Sequence, residues 1–341
     1  KTLRVNGKTY KLPGRLTQFQ QQMYVHLIDW KWKYITEEAG YYKYKGVKIP
    51  YDAILPISVT AELPIIYPSV VNYLKQHQAI PGFAFRMHIH FNHMASSQAA
   101  NVNLFLPILL HSKANDILSQ IKSVFSRLAT HCLYKGFRIE FWDAPYGNLN
   151  DKTRISGTDS DMAIAYYNTK NELCLWLIEH KLTEKEFTAC GGFGSKGRKQ
   201  KHDCTKSFSE IIKNKPVCYY HDVRRFTYWD ITNKHQVFFA NHNSYPQCPF
   251  QGGMNQLWRN QLLGFAVEDD ARHPFQHVYF SVVRHPDNKD ICSTIDEYKE
   301  LINYNGRFSD FTSRNFLDAA LQIQNPDIQM WAEWYKALYH V

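Results

Sequence analysis

The chain has 341 residues, 44% of them hydrophobic and 21% charged, which is ordinary for a folded globular protein and excludes wholesale disorder. No apolar run has the length of a membrane span, and the N-terminal residues lack the apolar core of a secretion signal, so we expect a cytoplasmic protein with no membrane partner. The formal net charge of +9 favours polyanionic partners such as nucleic acids.

Residues 1–85 predict an N-terminal mixed α/β appendage. Strand-like alternation with turn residues occurs near Val5 and again over residues 41–50, and residues 16–35 carry apolar and aromatic side chains at helical spacing. We therefore place a domain boundary after this region and assign residues 86–341 to a second, larger domain.

The larger domain begins with a predicted strand over residues 85–91. Ser96 or Ser97 then provides a suitable N-cap for a helix, and Pro107 predicts a kink or a break into two helices. Residues 137–142 alternate in polarity and predict the next strand.

Two apolar segments with charged ends follow. Residues 161–167 begin with Asp161, and residues 173–181 end with Glu-His-Lys. If the two segments pair as a hairpin, strand alternation puts Glu179 and Lys181 on one face of the sheet. The same pairing brings Asp161 to that end of the sheet.

Residues 255–266 predict an amphipathic helix, and residues 276–283 predict a buried strand after it. Beyond Asp296 the pattern indicates helices, the last of which packs through aromatic side chains. The apolar side of the first helix consists of Met254, Leu257, Trp258, Leu262 and Phe265, and the aromatic face of the last consists of Trp331, Trp334 and Tyr335.

The charged ends of the two apolar segments are the first functional candidates. Two carboxylates and one ammonium in an apolar sheet require a compensating partner, because burying unpaired charge is costly. Mg²⁺ or Mn²⁺ would supply one, since these ions accept a few oxygen ligands together with a phosphate-bearing substrate. In the alternative interpretation Asp161 is a turn residue, with Asp159 competing for the ligand role. Glu179 and Lys181 would then form an exposed salt bridge at a strand end.

The motif of Asp161 followed by Glu179-His180-Lys181 resembles the core of the PD-(D/E)XK nuclease superfamily. Residues 96–107 and 253–264 resemble the flanking helices of restriction-endonuclease-like members, and the resemblance runs from about Met87 to the C-terminus. It implies an α/β (α+β mixed sheet) fold, with a central mixed β-sheet flanked by helices, and metal-dependent hydrolysis of phosphodiester bonds.

The resemblance also implies roles for individual residues. Asp161 and Glu179 would bind the metal together with the main-chain carbonyl of His180, and Lys181 would position the attacking water. Gln256 would help to organise the site from the following helix. Arg259, three residues later, would contact a phosphate; a solvated helix face is the alternative for both.

Residues 191–202 form a glycine-rich stretch directly after the motif. Its cationic side chains are Lys196, Arg198, Lys199 and Lys201. Beside a metal centre, such a loop suits a clamp on a nucleic-acid backbone, and a solvated loop is the alternative.

Seven cysteines are few enough for a reducing compartment. Cys190, Cys204, Cys218 and Cys248 all follow the motif, and His202 and His221 lie near them in the sequence. These residues are candidates for a structural zinc ion or, by resemblance to some nucleases of the superfamily, an iron–sulfur cluster. Ordinary thiols are the alternative, because the sequence has no C-x₂-C pair.

Other residues have weaker claims. His88, His90 and His93 offer a rival metal constellation for a hydrolase of another class, and packed or surface histidines are the alternative. Gln98 and Asn103 belong to the resembling upstream segment but have no assigned role. In a separate strand, Glu140 is a candidate for an additional carboxylate.

The sequence therefore predicts a Mg²⁺-dependent nuclease that acts on DNA, in a restriction or phage-defence system. The alternative is a nucleic-acid-binding or interaction module with an inactive nuclease fold. A partner protein that activates the chain, and a homodimer that makes paired strand cuts, both remain open.

Overall fold

The computed structural model describes residues 2–77, 80, 87–88, 90–142, 146–152 and 157–341. Its strands are β1 (Thr2–Val5), β2 (Lys8–Lys11), β3 (Gly40–Tyr44), β4 (Val47–Tyr51), β5 (Phe125–Leu128), β6 (Phe137–Phe141), β7 (Ser160–Asn168), β8 (Leu173–Lys181), β9 (His277–Arg284) and β10 (Phe308–Thr312). Its α-helices are α1 (Gln18–Tyr34), α2 (Ile57–Thr60), α3 (Pro68–His77), α4 (Ser97–Leu109), α5 (Ala114–Ile121), α6 (Phe208–Lys213), α7 (Tyr219–Asp222), α8 (Tyr228–Lys234), α9 (Met254–Glu268), α10 (Cys292–Leu301), α11 (Ser313–Leu321) and α12 (Pro326–Tyr339).

A mixed six-stranded sheet forms the centre of the molecule. Strand β8 pairs antiparallel with β7 and parallel with β9, and β9 pairs in parallel with β10. Strands β5 and β6 both pair antiparallel with β7 along its other edge. All nine residues of β8 are buried, as expected for a central strand covered on both sides. The mixed sheet flanked by helices is the fold that the sequence predicts.

The two faces of the sheet belong to separate apolar clusters because side chains alternate along each strand. Trp176 and Ile178 pack in one cluster with residues of α4 and α12. Leu175 and Leu177 pack in the other with residues of α9 and of the long segment between β8 and α9. The side on which a β8 side chain lies therefore decides which helix can reach it.

The N-terminal region contains the predicted small elements. Strands β1 and β2 form one hairpin, β3 and β4 form another, and α1 begins with a capping box at Thr17. Met23 and Leu27 of α1 lie in the same apolar cluster as α4 and α12. The division of the chain after residue 85 stays a prediction.

Helix α4 starts at the predicted N-cap Ser96, and the prediction of two helices before Arg127 is confirmed. The interruption at Pro107 itself is wrong, because α4 continues through the proline to Leu109. Proline has no N–H and leaves the carbonyl four residues earlier, that of Asn103, without its helical donor. The indole Nε1 of Trp331 donates to that oxygen at 2.8 Å. A tertiary hydrogen bond therefore replaces the lost helical one, and the chain turns into the separate helix α5 only after α4 has ended.

Three other predictions need correction. Helix α9 is buried nearly all round rather than amphipathic, because the segment between β8 and α9 covers its outer side. Beyond Asp296 the chain is not wholly helical, since β10 adds an edge strand to the sheet. Of the strand expected over residues 85–91, residues 87, 88, 90 and 91 are not in a strand, and the others lie outside the described residues. In the described part of the chain, no helix combines the length and apolar character needed to cross a membrane.

Candidate active site

The register of the sheet places three carboxylates in a row across neighbouring strands. Ile139 and Phe141 of β6 pair with Met162 and Ser160 of β7, which brackets Glu140 opposite Asp161. On the other side of β7, Met162 pairs with Ile178, so the next step of the register puts Asp161 opposite Glu179. Glu140 has a positive φ of 54°, a strained backbone for a residue with a side chain.

A cleft of about 880 Å³ opens over this end of the sheet. Four carboxylates line it: Glu140, Asp159, Asp161 and Glu184. Its other lining residues include Gln20 of α1 and the three histidines of the rival metal constellation, His88, His90 and His93. The cleft is thus rich in acidic and polar groups.

Asp161 sits at the inner end of the cleft. Its Oδ2 accepts the main-chain N–H of His180 at 2.7 Å, and its own carbonyl accepts from the side chain of Asn101 at 2.9 Å. Burial and then the charge of Glu179 raise the pKa of Asp161 well above its usual value, and Lys181 opposes this only in part. Asp159 also lines the cleft, and desolvation there, followed by the charge of Glu179, raises its pKa. The site therefore holds more negative charge than its own cation neutralises.

Glu179 and Lys181 form a buried ion pair, with Nζ and Oε1 2.9 Å apart and each residue less than a tenth exposed. The exposed strand-end alternative is therefore wrong. Burial by itself lowers the pKa of Lys181, but Glu179, Glu184 and Asp161 outweigh it and raise this pKa above the usual lysine value. Lys181 is consequently an ammonium at neutral pH, able to donate hydrogen bonds and not to accept a proton.

Two amides on α9 hold the Glu179 carboxylate in place. Gln256 Nε2 donates to Oε1 at 2.6 Å, and Asn260 Nδ2 donates to Oε2 at 2.9 Å. Gln256 also accepts the N–H of Thr188 at 3.0 Å, which ties the segment after β8 to the site. Asn260 was not among the predicted site residues, although its position four residues after Gln256 places both amides on one helix face.

We expect Asn260→Ala to lower the free energy of unfolding by about 1.5–3 kcal/mol, because a hydrogen bond to a buried carboxylate contributes about that much. The measurement is urea unfolding, with Gln329→Ala on the exposed side of α12 as the matched amide control. Equal stability of Asn260→Ala and the control would show that this amide does not hold Glu179.

Three other residues singled out in the sequence, His180, Arg259 and Gln98, lie in different environments. The His180 side chain points away from Glu179 and is buried, and burial lowers its pKa to about 3, so it is a neutral packed imidazole. Arg259 is largely buried and hydrogen-bonded to Tyr228, which is not a solvated helix face. Gln98 joins the cleft by hydrogen-bonding Glu140.

Asn103 lies away from the cleft and has structural partners. It accepts the N–H of Tyr67 at 2.8 Å and donates at the same distance to Ile65 O and the hydroxyl of Tyr339. These bonds join α4 to the N-terminal region and to α12.

The cationic side chains of residues 191–202 divide into two kinds. Arg198 donates to main-chain carbonyls of Phe193 and His202, and Lys201 pairs with Asp222. Lys196 and Lys199 are exposed, and neither has an ion-pair partner among the described residues. These two lysines are the charges in the loop that remain available to a ligand.

The donor chemistry of the cleft suits a hard divalent cation. Carboxylates of Asp161 and Glu179 lie on adjacent strands, and burial together with the charge of Glu179 raises the pKa of Asp161, a cost of ionisation that a bound cation would relieve. As the side chains are oriented, however, no three His, Cys, Asp or Glu groups in the described part of the chain form a ready ligand set. Both oxygens of Glu179 already accept hydrogen bonds, and Oε2, which has Asn260 as its donor, keeps a lone pair that a cation can use.

Comparison with known proteins adds one match. A family model described as "Restriction Endonuclease associating with ARP" matches residues 30–340. Among curated proteins and among solved structures, nothing matches the chain. Because the family model covers nearly all of the sequence, the chain belongs to this restriction-endonuclease family.

Proposed function

We propose that this protein is a Mg²⁺-dependent nuclease, also served by Mn²⁺, that hydrolyses phosphodiester bonds of DNA as an endonuclease in restriction or phage defence. The observation that carries the proposal is the row of Glu140, Asp161 and Glu179 across neighbouring strands, beside the protonated Lys181. Glu140 and Asp161 line the cleft, and Glu179 lies next to Asp161 in the row. Membership of a restriction-endonuclease family supports the same class of reaction.

In this proposal, Asp161 and Glu179 hold the metal with the main-chain carbonyl of His180, and Glu140 is placed to add a carboxylate. The bound metal would supply Lewis-acid polarisation of the phosphate and a lower pKa for a bound water. Lys181 donates a hydrogen bond to the attacking water or to a phosphate oxygen, where negative charge develops. Gln256 and Asn260 fix the orientation of the Glu179 carboxylate beside Asp161.

The nucleic acid would approach over the acidic cleft with its backbone against positive charge outside it. Lys196 and Lys199 supply exposed charge on the loop after β8, and the formal net charge of +9 favours association with a polyanion. Arg259, held near Asp159, is a further candidate for a phosphate contact.

A second candidate is a binding module that keeps the fold without catalysis. It is favoured by one observation: both oxygens of Glu179 are engaged by Lys181, Gln256 and Asn260, which leaves the carboxylate well satisfied without a metal.

The experiment that separates the two candidates is a substrate and metal panel. Plasmid DNA, single-stranded DNA and RNA are incubated with the protein in Mg²⁺, Mn²⁺ or EDTA. Because the family description names an association with ARP, we propose that a partner protein activates the chain, and the panel is run with and without ARP co-expressed. We expect DNA cutting with either metal and none in EDTA. Binding that survives EDTA, with no cutting under any condition, would support the binding module instead.

A further inference from the structure

Four of the seven cysteines converge in the segment between β8 and α9, although they are far apart in sequence. The main-chain N–H of Cys248 donates to the carbonyl of Cys204 at 3.3 Å, and the N–H of Cys190 donates to Gln251 O at 3.0 Å. Gln251 in turn donates through its side chain to Cys204 O at 2.6 Å. These contacts bring three stretches of chain to one place.

A main-chain hydrogen bond between adjacent residues brings Cys218 close to the other three cysteines. The N–H of Asp203 donates to Val217 O at 3.1 Å, which sets Cys204 and Cys218 on adjoining stretches. All four are free thiols of intermediate exposure, so none is used in a disulfide.

The surroundings of the sulfurs favour thiolates once a cation is present. Burial raises the pKa of Cys190, while the N–H groups of Phe193 and Gly192 face the sulfur and act in the opposite direction. Burial likewise raises the pKa of Cys218, opposed by the N–H groups of His221 and Tyr220.

Cys248 follows the same pattern. Burial raises its pKa well above the usual value, the N–H of Phe250 opposes this, and the other three cysteines raise it further. Cys190, Cys218 and Cys248 thus each have main-chain donors suited to a negative sulfur, and burial favours the protonated thiol while no cation is present.

We propose that Cys190, Cys204, Cys218 and Cys248 bind one structural zinc ion as a four-cysteine site. Zn²⁺ prefers four thiolate or imidazole ligands in tetrahedral geometry, and binding would release the thiol protons to solvent. The sulfurs must turn towards one another to do so, because no ready ligand set exists among the described residues as oriented.

Histidine is not needed as a ligand. Both ring nitrogens of His202 already have hydrogen-bond partners: Nε2 contacts Asp222 at 2.9 Å, and Nδ1 accepts the N–H of Lys199 at 2.8 Å. The four cysteines complete the coordination number of a structural site by themselves.

The proposed ion would fix the basic loop. Cys190 and Cys204 stand at its two ends, so a common ligand sphere closes residues 191–203 into a tied loop that presents Lys196 and Lys199. Cys190 also lies two residues after Thr188, whose N–H bonds to Gln256 and through it to Glu179. Zinc therefore links the position of the loop to that of the cleft.

Metal content of the purified wild-type protein gives the first test. We expect one zinc per chain by elemental analysis, and exchange with Co²⁺ should give the thiolate-to-cobalt charge-transfer absorption of a cysteine-rich site. Iron with acid-labile sulfide, or four thiols titrating freely with no bound zinc, would overturn the proposal. Zinc content does not depend on nuclease activity, so this proposal and the proposed function fail separately.

Cysteine variants locate the site. In Cys218→Ser, zinc should fall at least tenfold and trypsin should cut the loop at Lys196 to Lys201 at least tenfold faster than in wild type. Cys292→Ser is the matched control, since Cys292 is partly exposed on α10 and donates to Asn288 O. A zinc content of one per chain in Cys218→Ser, or an equal loss of zinc in both variants, would overturn the assignment. If a variant does not fold, the zinc content of the wild-type protein still tests the proposal.

Discussion

Glu179→Gln is expected to lower Mg²⁺-dependent DNA cleavage by about three orders of magnitude while leaving the protein folded. Glutamine keeps the shape of the side chain and can still accept one hydrogen bond from Lys181 or α9, but it removes the charge that binds a metal. The measurement is the single-turnover cleavage rate, with Glu333→Gln on the exposed side of α12 as the matched control. A cleavage rate within threefold of wild type would contradict the role of Glu179.

Alanine at the same position tests a different property. Glu179→Ala leaves the Lys181 ammonium buried without its partner, and breaking a buried ion pair costs about 3–5 kcal/mol. We therefore expect Glu179→Ala to lose activity and also more stability in urea unfolding than Glu179→Gln, whose amide oxygen can still accept a hydrogen bond from Lys181. The glutamine variant therefore separates chemistry from folding better than the alanine variant.

Asp161→Asn is expected to abolish cleavage and, in EDTA, to make the protein more stable. The folded-state pKa of Asp161 is raised by burial and by Glu179, so its ionisation opposes folding. The sign follows from linkage: stability is greatest below the unfolded pKa of about 3.9 and is lost as the pH rises through the folded value. Asparagine cannot ionise, and its Oδ1 can still accept the N–H of His180.

The measurement is urea unfolding of both proteins in EDTA from roughly pH 4, near the ordinary pKa of an aspartate, to roughly pH 8. The gain of Asp161→Asn should be about 1 kcal/mol at neutral pH and should shrink as the pH falls. Added Mg²⁺ should stabilise the wild type and not the variant, because only the wild type binds the ion. A variant less stable than wild type in EDTA would contradict the charge-excess explanation.

Sequence patterns predicted the elements that depend on local periodicity. The alternation of residues 161–167 and 173–181 predicted the β7–β8 hairpin, and Ser96 predicted the start of α4. These features are visible in one sequence because strand alternation and N-capping are properties of neighbouring residues.

The site was only partly predictable because its completion depends on contacts distant in sequence. The alignment of Glu140 with Asp161 requires the β6–β7 register, which nothing local to Glu140 specifies. The burial of Asn260 depends on its contact with Glu179 of β8, which an isolated helix pattern does not reveal. Helix α4 passes through Pro107 because of Trp331, more than two hundred residues away.

The central claim is that the carboxylate row binds a divalent cation, and Mn²⁺ titration followed by electron paramagnetic resonance tests it most directly. Free Mn²⁺ gives a sharp signal that is lost on binding to the protein. We predict stoichiometric loss of that signal with the wild type, and uptake at least tenfold weaker with Asp161→Asn and with Glu179→Gln. Equal uptake by the wild type and both variants, or none by the wild type, would contradict the account.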